Sequence, residues 1–193
     1  MTGRRLHALG VGVVALVLLG AATLLDGWLP DETDDPVAAP FLRTAGLGDR
    51  VDLRTLTVRV DSVSGATALE EYGSEQRSPG VWVVVEYTVV ATSENSSVAY
   101  AELRDGERQW SLEGRNSNTC IAGPPGVPVG CVAYFEVPGD AVPDLRLWLA
   151  RDVLDLRFDA VADIDLGLTE DDAARFAGTA LLKVPDPWLG ERP

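Results

Sequence analysis

The sequence predicts a mostly β protein: an antiparallel β-sandwich behind an N-terminal transmembrane helix, closed by a short C-terminal helix. Three observations predict it. Short segments of alternating apolar and polar residues, separated by Gly, Pro and Asp, recur from about Gly48 onward. No long helical periodicity interrupts them, and six to eight short strands of this kind imply two packed sheets. An uncharged apolar run lies near the N-terminus.

That run, Leu6 to Leu25, is rich in Leu, Val, Ala and Gly. At about 1.5 Å per residue, roughly 20 residues cross a hydrocarbon core of about 30 Å. Arg4 and Arg5 precede it, Asp26 follows, and Trp28 falls where an interfacial aromatic belongs. Basic residues on the N-terminal side alone set residues 1–5 in the cytoplasm, 6–29 as the anchor, and the rest outside. The rival reading is a cleaved signal peptide with Ala21 and Ala22 at the small-residue site, although the run is long for a signal core of about 7 to 15 residues. Both readings place the remainder outside the plasma membrane. No Cys lies near the end of the run, which excludes lipid attachment there.

Residues 30–47 read as an acidic extended stalk, with two prolines between Asp31 and Pro40. The sandwich is assigned to 48–168. Leu56, Val58 and Val60 alternate with Thr57, Arg59 and Asp61, the period of a half-buried strand. Gly65 to Gly80 shows no period and reads as a long loop. Val81 to Ala91 is apolar on both faces apart from Glu86 and Thr88, as expected of a central, covered strand. Asp105-Gly106 separates two strand-like segments and signals a hairpin, because Gly tolerates φ > 0. Val129 to Val137 alternates with Val129, Cys131, Ala133, Phe135 and Val137 on one side. Leu145, Leu147 and Leu149 form a further strand, Leu154, Leu156 and Phe158 the next, and Val161 to Leu166 extends or follows it. Thr169, followed by Glu170, Asp171 and Asp172, reads as an N-cap with acids in the first turn of a helix. Residues 169–193 are thus a short helix and a tail, the last ten residues loose after Pro185 and Pro187.

The formal net charge is −14, and beyond residue 29 the chain carries 29 acidic and 14 basic residues. Such a domain repels nucleic acid and anionic lipid over any broad surface. Lys183 is the only Lys among the basic residues of that region, a bias expected of a GC-rich, actinobacterial-type genome.

Cys120 and Cys131 are the only cysteines and bracket a Gly/Pro-rich loop. An even count in an oxidising compartment predicts a disulfide, worth about 3 kcal/mol by loop-closure entropy. A redox pair would use closer spacing such as C-x-x-C, and two thiols fall short of the four ligands of a zinc site.

One run of segments resembles the immunoprotective extracellular immunoglobulin-like superfamily of actinobacterial secreted antigens and Gram-positive lipoproteins and membrane proteins. It comprises Leu56-Thr57-Val58-Arg59-Val60 leading into Asp61-Ser62-Val63, Val81-Trp82-Val83-Val84-Val85-Glu86-Tyr87-Thr88-Val89, the Leu103-Arg104-Asp105-Gly106 turn, and Val132-Ala133-Tyr134-Phe135-Glu136-Val137-Pro138. The resemblance covers roughly 48–167. It implies an immunoglobulin-like sandwich in an extracytoplasmic compartment, carries over no catalytic residue, and leaves adhesion, sensing or assembly as roles.

The candidate chemistry is sparse. His7 is the only His and lies at the N-terminal end of the apolar run, on the cytoplasmic side or at the membrane edge, so the outer domain holds no Ser-His-Asp or Cys-His site and no His-based zinc site. Asp159, Asp163 and Asp165 cluster in sequence, but a calcium loop needs more oxygen ligands than they offer. Asn95-Ser96-Ser97 matches a glycosylation sequon and reads as a turn. Trp82, Trp110, Trp148 and Trp188 invite a carbohydrate reading, with Trp110 and Trp148 the candidate glycan contacts. No cofactor or metal is expected. The expectation is a non-enzymatic module that binds an unidentified envelope protein. A cell-wall glycan-binding module is the alternative, and a carboxylate hydrolase is a weaker one.

Overall fold

A computed structural model of the chain describes residues 39–93, 96–111, 120–151, 156–157 and 159–190. The expected anchor at 6–29 lies outside the described residues; among those described, no helix is long and apolar enough to cross a membrane.

In chain order the strands are β1 (Phe41–Gly46), β2 (Arg50–Asp52), β3 (Leu56–Glu71), β4 (Ser74–Ala91), β5 (Ser97–Val98), β6 (Tyr100–Asp105) and β7 (Arg108–Ser111). There follow β8 (Cys120–Ile121), β9 (Pro128–Val137), β10 (Arg146–Ala150), β11 (Ala160–Asp165), helix α1 (Glu170–Gly178), β12 (Leu182–Lys183) and β13 (Trp188–Leu189). One sheet runs β1-β11-β10-β6-β7; the other runs β12-β3-β4-β9-β13, with β2 also on β3. A small ribbon pairs β5 with β8.

The core lies between the two sheets. From one side Val58, Val60, Val83, Val85, Tyr87, Ala133 and Phe135 face inward; from the other, Leu103, Leu147, Leu149, Ala162 and Ile164 do so. Burying each Val, Leu or Phe stabilises the fold by about 1.5–3 kcal/mol before chain entropy is subtracted. The alternation expected at 129–137 appears as buried Cys131, Ala133, Phe135 and Val137 in β9. The Asp105-Gly106 hairpin joins β6 to β7, with Gly106 at φ 57°. Helix α1 starts after Thr169, whose backbone N–H and hydroxyl both donate to Asp172.

Four expectations are corrected. The end of the stalk assigned to 30–47 is strand β1, paired in parallel with β11, and the folded unit begins at Pro40 rather than Gly48. The loop expected between Gly65 and Gly80 is the far half of a long β3–β4 hairpin, with Glu71 opposite Ser74. Its turn is Tyr72-Gly73, at φ 49° and 78°, the primed geometry that matches strand twist. Neither turn residue is the usual Asn or Asp, and this half of β4 is largely solvated, so no alternation marks it. The strand drawn through Leu154, Leu156 and Phe158 is absent at Leu156 and Arg157; residues 152–155 and 158 lie outside the described residues. Of the last ten residues, expected to be loose, Trp188 and Leu189 form β13, antiparallel to β9; just before them β12 runs parallel to β3, and residues 191–193 lie outside the described residues.

That last correction explains why β4 is apolar on both sides. Its outward Trp82 and Val84, with Leu69, Val132 and Tyr134, form a second cluster outside the sandwich. Leu182, Val184 and Trp188 of the C-terminal segment cover it. Trp82 meets Tyr134 edge to face, with ring centroids 5.9 Å apart and planes at 75°. Trp188 packs flat on Gly130, where an added Cβ would fall 1.8 Å from its ring.

Candidate functional site

Cys120 and Cys131 are joined, with Cα atoms 5.9 Å apart. Both are buried, and the bond ties the β5–β8 ribbon to β9 against the main core. This is a structural setting. The reactive setting of a redox pair would be partly exposed and electropositive.

The two candidate glycan contacts do not share a surface. Trp110 lies opposite Leu103 and packs half-buried against the inner core. Trp148 alternates with Leu147 and Leu149, and so faces outward on the same sheet. There it is enclosed by a charged ladder. The Arg104 guanidinium stacks 3.5 Å from its ring centroid, and the indole N–H donates to Asp163 at 3.0 Å. Arg104 Nε donates to Glu102 at 2.5 Å, and Arg146 Nε to Asp163 at 2.7 Å. Burial, then the neighbouring Glu102 carboxylate, pushes Tyr100 up to about 12. A sugar stacking on this face of Trp148 would have to displace Arg104, a cation already well placed over the ring.

The three aspartates near β11 are taken up by protein partners. Asp159 accepts from the Ala160 N–H and lies 3.9 Å from Arg54, Asp163 accepts from Arg146 and Trp148, and Asp165 accepts from the Gly167 N–H and lies 3.4 Å from Arg146. Among the described residues no three metal-ligating side chains converge. Ile164 and Leu166, on either side of Asp165, are buried core. Ser96 of the sequon donates to the Thr55 carbonyl; Asn95, like His7, lies outside the described residues.

The feature that sequence reading missed is at β1. Phe41 donates its N–H to Asp159, toward the β11 side. Backbone direction alternates along a strand, so Arg43 and Ala45 also bond toward β11 while Leu42, Thr44 and Gly46 turn their amides away. Gly46 is closed off by Asp49, whose carboxylate accepts from the Gly46 N–H at 3.0 Å and whose N–H donates back to Gly46 at 3.2 Å. Leu42 and Thr44 face no further strand among the described residues. Phe41 and Leu42 are 53% and 45% exposed, large apolar side chains on opposite faces of this edge strand.

Beside that edge, between β1 and β2, runs an open groove of about 560 Å³ lined by Leu42, Thr44, Arg43, Arg50, Asp52 and Arg54 among others. Three arginines and one aspartate line it, and Arg54 also lies 3.9 Å from the Asp159 carboxylate in an ion pair. Arg54 is held at φ 70°, in the left-handed region, by its N–H bond to Asp52 at 2.9 Å. A non-Gly residue there costs about 1–2 kcal/mol. The only sequence signal for this edge is the run Phe41-Leu42-Arg43-Thr44 between Pro40 and Gly46.

Among the described residues, fold and site together define a mostly β sandwich protein with edge strands β1 and β7 on one sheet and a groove beside β1. No family model matches the sequence, and no curated protein does. Among solved structures it is similar to the yjhA protein from Bacillus subtilis, with TM-score 0.45 and 14% identity over 62% of this chain and 99% of that one. It is also similar to an uncharacterized β-sandwich protein from Clostridium difficile 630, with TM-score 0.38 and 10% identity over 70% of this chain and 99% of that one.

Proposed function

We propose that this chain is a membrane-anchored extracytoplasmic module that binds another envelope protein and catalyses nothing itself. The observation that carries the reading is the β1 edge, unpaired among the described residues, with its exposed Phe41 and Leu42. Sheet edges left uncovered are templates for pairing, and folded proteins usually blunt them with charge, proline or a covering segment. In the other sheet β9 is covered in that way by β13, while β7 ends the sheet that β1 begins. The uncharged run Leu6 to Leu25 and the buried disulfide support the compartment.

The test is in-membrane crosslinking from a photoreactive residue at position 42 of the full-length chain. One defined protein adduct is expected, lost in a Cys120→Ser/Cys131→Ser control whose domain has loosened. Adducts only to wall fragments, or none, would overturn a stable protein partner.

A further inference from the structure

We infer that residues 182–189 form a detachable strap, which opens as a unit while the sandwich stays folded and hides an apolar face while it is closed. The segment crosses the outer side of the β3-β4-β9 sheet, from β12 on β3 to β13 on β9. Leu182, Val184 and Trp188 cover Leu69, Trp82, Val84, Val132 and Tyr134 there. None of its apolar side chains joins the core between the sheets. Opening the strap therefore bares the outer cluster and leaves the larger core intact. The device is independent of the β1 edge.

The fastening is light. β12 and β13 are two residues each, and Pro185 and Pro187 between them have no N–H to donate. Beyond the two short ladders, the Val184 N–H donates to the Glu70 carbonyl and the Gly190 N–H to the Pro128 carbonyl, each at 3.0 Å. The middle of the strap is not close-packed on the sheet. A cavity of about 230 Å³ lies among Lys183, Pro185 and Pro187 on the strap side and Glu71, Val132 and Tyr134 on the sheet side. Atoms that line a void lose dispersion contacts on that side. The close contact is the Trp188 ring on Gly130. The pivot is defined as well. Thr67 donates to the Thr179 carbonyl from its N–H at 2.8 Å, and its hydroxyl donates to the Thr179 and Ala180 carbonyls at 3.2 Å. The chain is thus held to β3 as far as Ala180, and Leu181, 44% exposed, is the first residue beyond. A segment with few backbone bonds and few buried contacts belongs to the low-stability end of local unfolding. Closed, it denies the face beneath to any other surface; open, it presents Trp82, Val84, Val132 and Tyr134 together.

The experiment uses the full-length chain in detergent micelles and a protease that cuts only after lysine. Lys183 is the only Lys in the sequence and lies in the strap, so each cut reports an opening there. Cleavage is expected under native conditions, at a rate that rises only weakly with urea because little surface is exposed. Amide exchange at Val184 and Gly190 is expected to be about tenfold or more faster than at Val83 and Val85 in β4. The cut chain is expected to keep the slow exchange of β4. Gly130→Ala, which crowds the Trp188 ring, should speed cleavage about tenfold. Trp188→Ala, which leaves β9 unaltered, should do the same and covers the case in which the alanine at 130 disturbs the sheet. Exchange of Val184 together with β4 at one urea slope would overturn the inference, as would loss of β4 protection in the cut chain. So would a cleavage rate that neither variant changes, or no cut below the urea concentration at which β4 itself opens.

Discussion

Tyr87 is fully buried at the centre of β4, and its hydroxyl has no hydrogen-bond partner among the described residues. Burial pushes its pKa well above that of a free phenol, so the group stays neutral. A buried hydroxyl without a partner costs about 1–3 kcal/mol. Tyr87→Phe is therefore expected to raise stability by about 1 kcal/mol. The check is a urea titration in which the midpoint rises at constant slope. A lower midpoint would show that the hydroxyl is satisfied. The alternation of β4 tells which residues share a face with Tyr87. It says nothing of what the phenol meets, because that depends on side chains from distant strands. Trp148 shows the same limit. Its outward direction is legible from Leu147 and Leu149 on either side, but Arg104 over its ring comes from a neighbouring strand in the sheet.

Elements defined by their own residues are legible in sequence, and those defined by what they lie on are not. Helix α1 carries its own start signal in Thr169 and three acids, and β9 carries its own alternation. Strands β12 and β13 are two residues each, too short for any period, and exist because they rest on β3 and β9. Gly130 makes the second of these contacts feasible, since only hydrogen fits beneath the Trp188 ring. Gly130→Ala is expected to lift Trp188 off β9 and cost roughly 1–3 kcal/mol, the usual range for overpacking. The measurement is tryptophan emission against a Trp188→Phe reference. A red shift present in the Ala variant and missing when Trp188 is also replaced identifies the displaced ring. Unchanged emission and midpoint would mean that the segment does not depend on this contact.

Over the whole molecule, the disulfide cross-links the β5–β8 ribbon to β9 of the main core. Closing a loop of 11 residues of separation stabilises the fold by about 3 kcal/mol in the chain-entropy account. Cys120→Ser/Cys131→Ser adds the burial of two hydroxyls to that loss, so a drop of about 3–5 kcal/mol is expected. Thermal melts of the oxidised, reduced and doubly substituted chains separate the two contributions. Equal midpoints for reduced and oxidised protein would show that the tie is dispensable.

The sequence by itself determined the β class, the inward face of β9, the 105–106 hairpin, the capped helix and the cysteine pairing. Each follows from local periodicity, turn chemistry or the simple availability of partners. Only the tertiary structure decided that β1 joins the sandwich with one edge open, that the C-terminal segment covers the outside of β4, and that Trp110 and Trp148 lie on opposite faces. The physical reason is range. Backbone φ/ψ preference and side-chain alternation act over a few residues, so they are written along the chain. Which edge stays unpaired and which apolar face is covered depend on segments more than a hundred residues apart, as Leu42 and Val161 are in the β1–β11 pair.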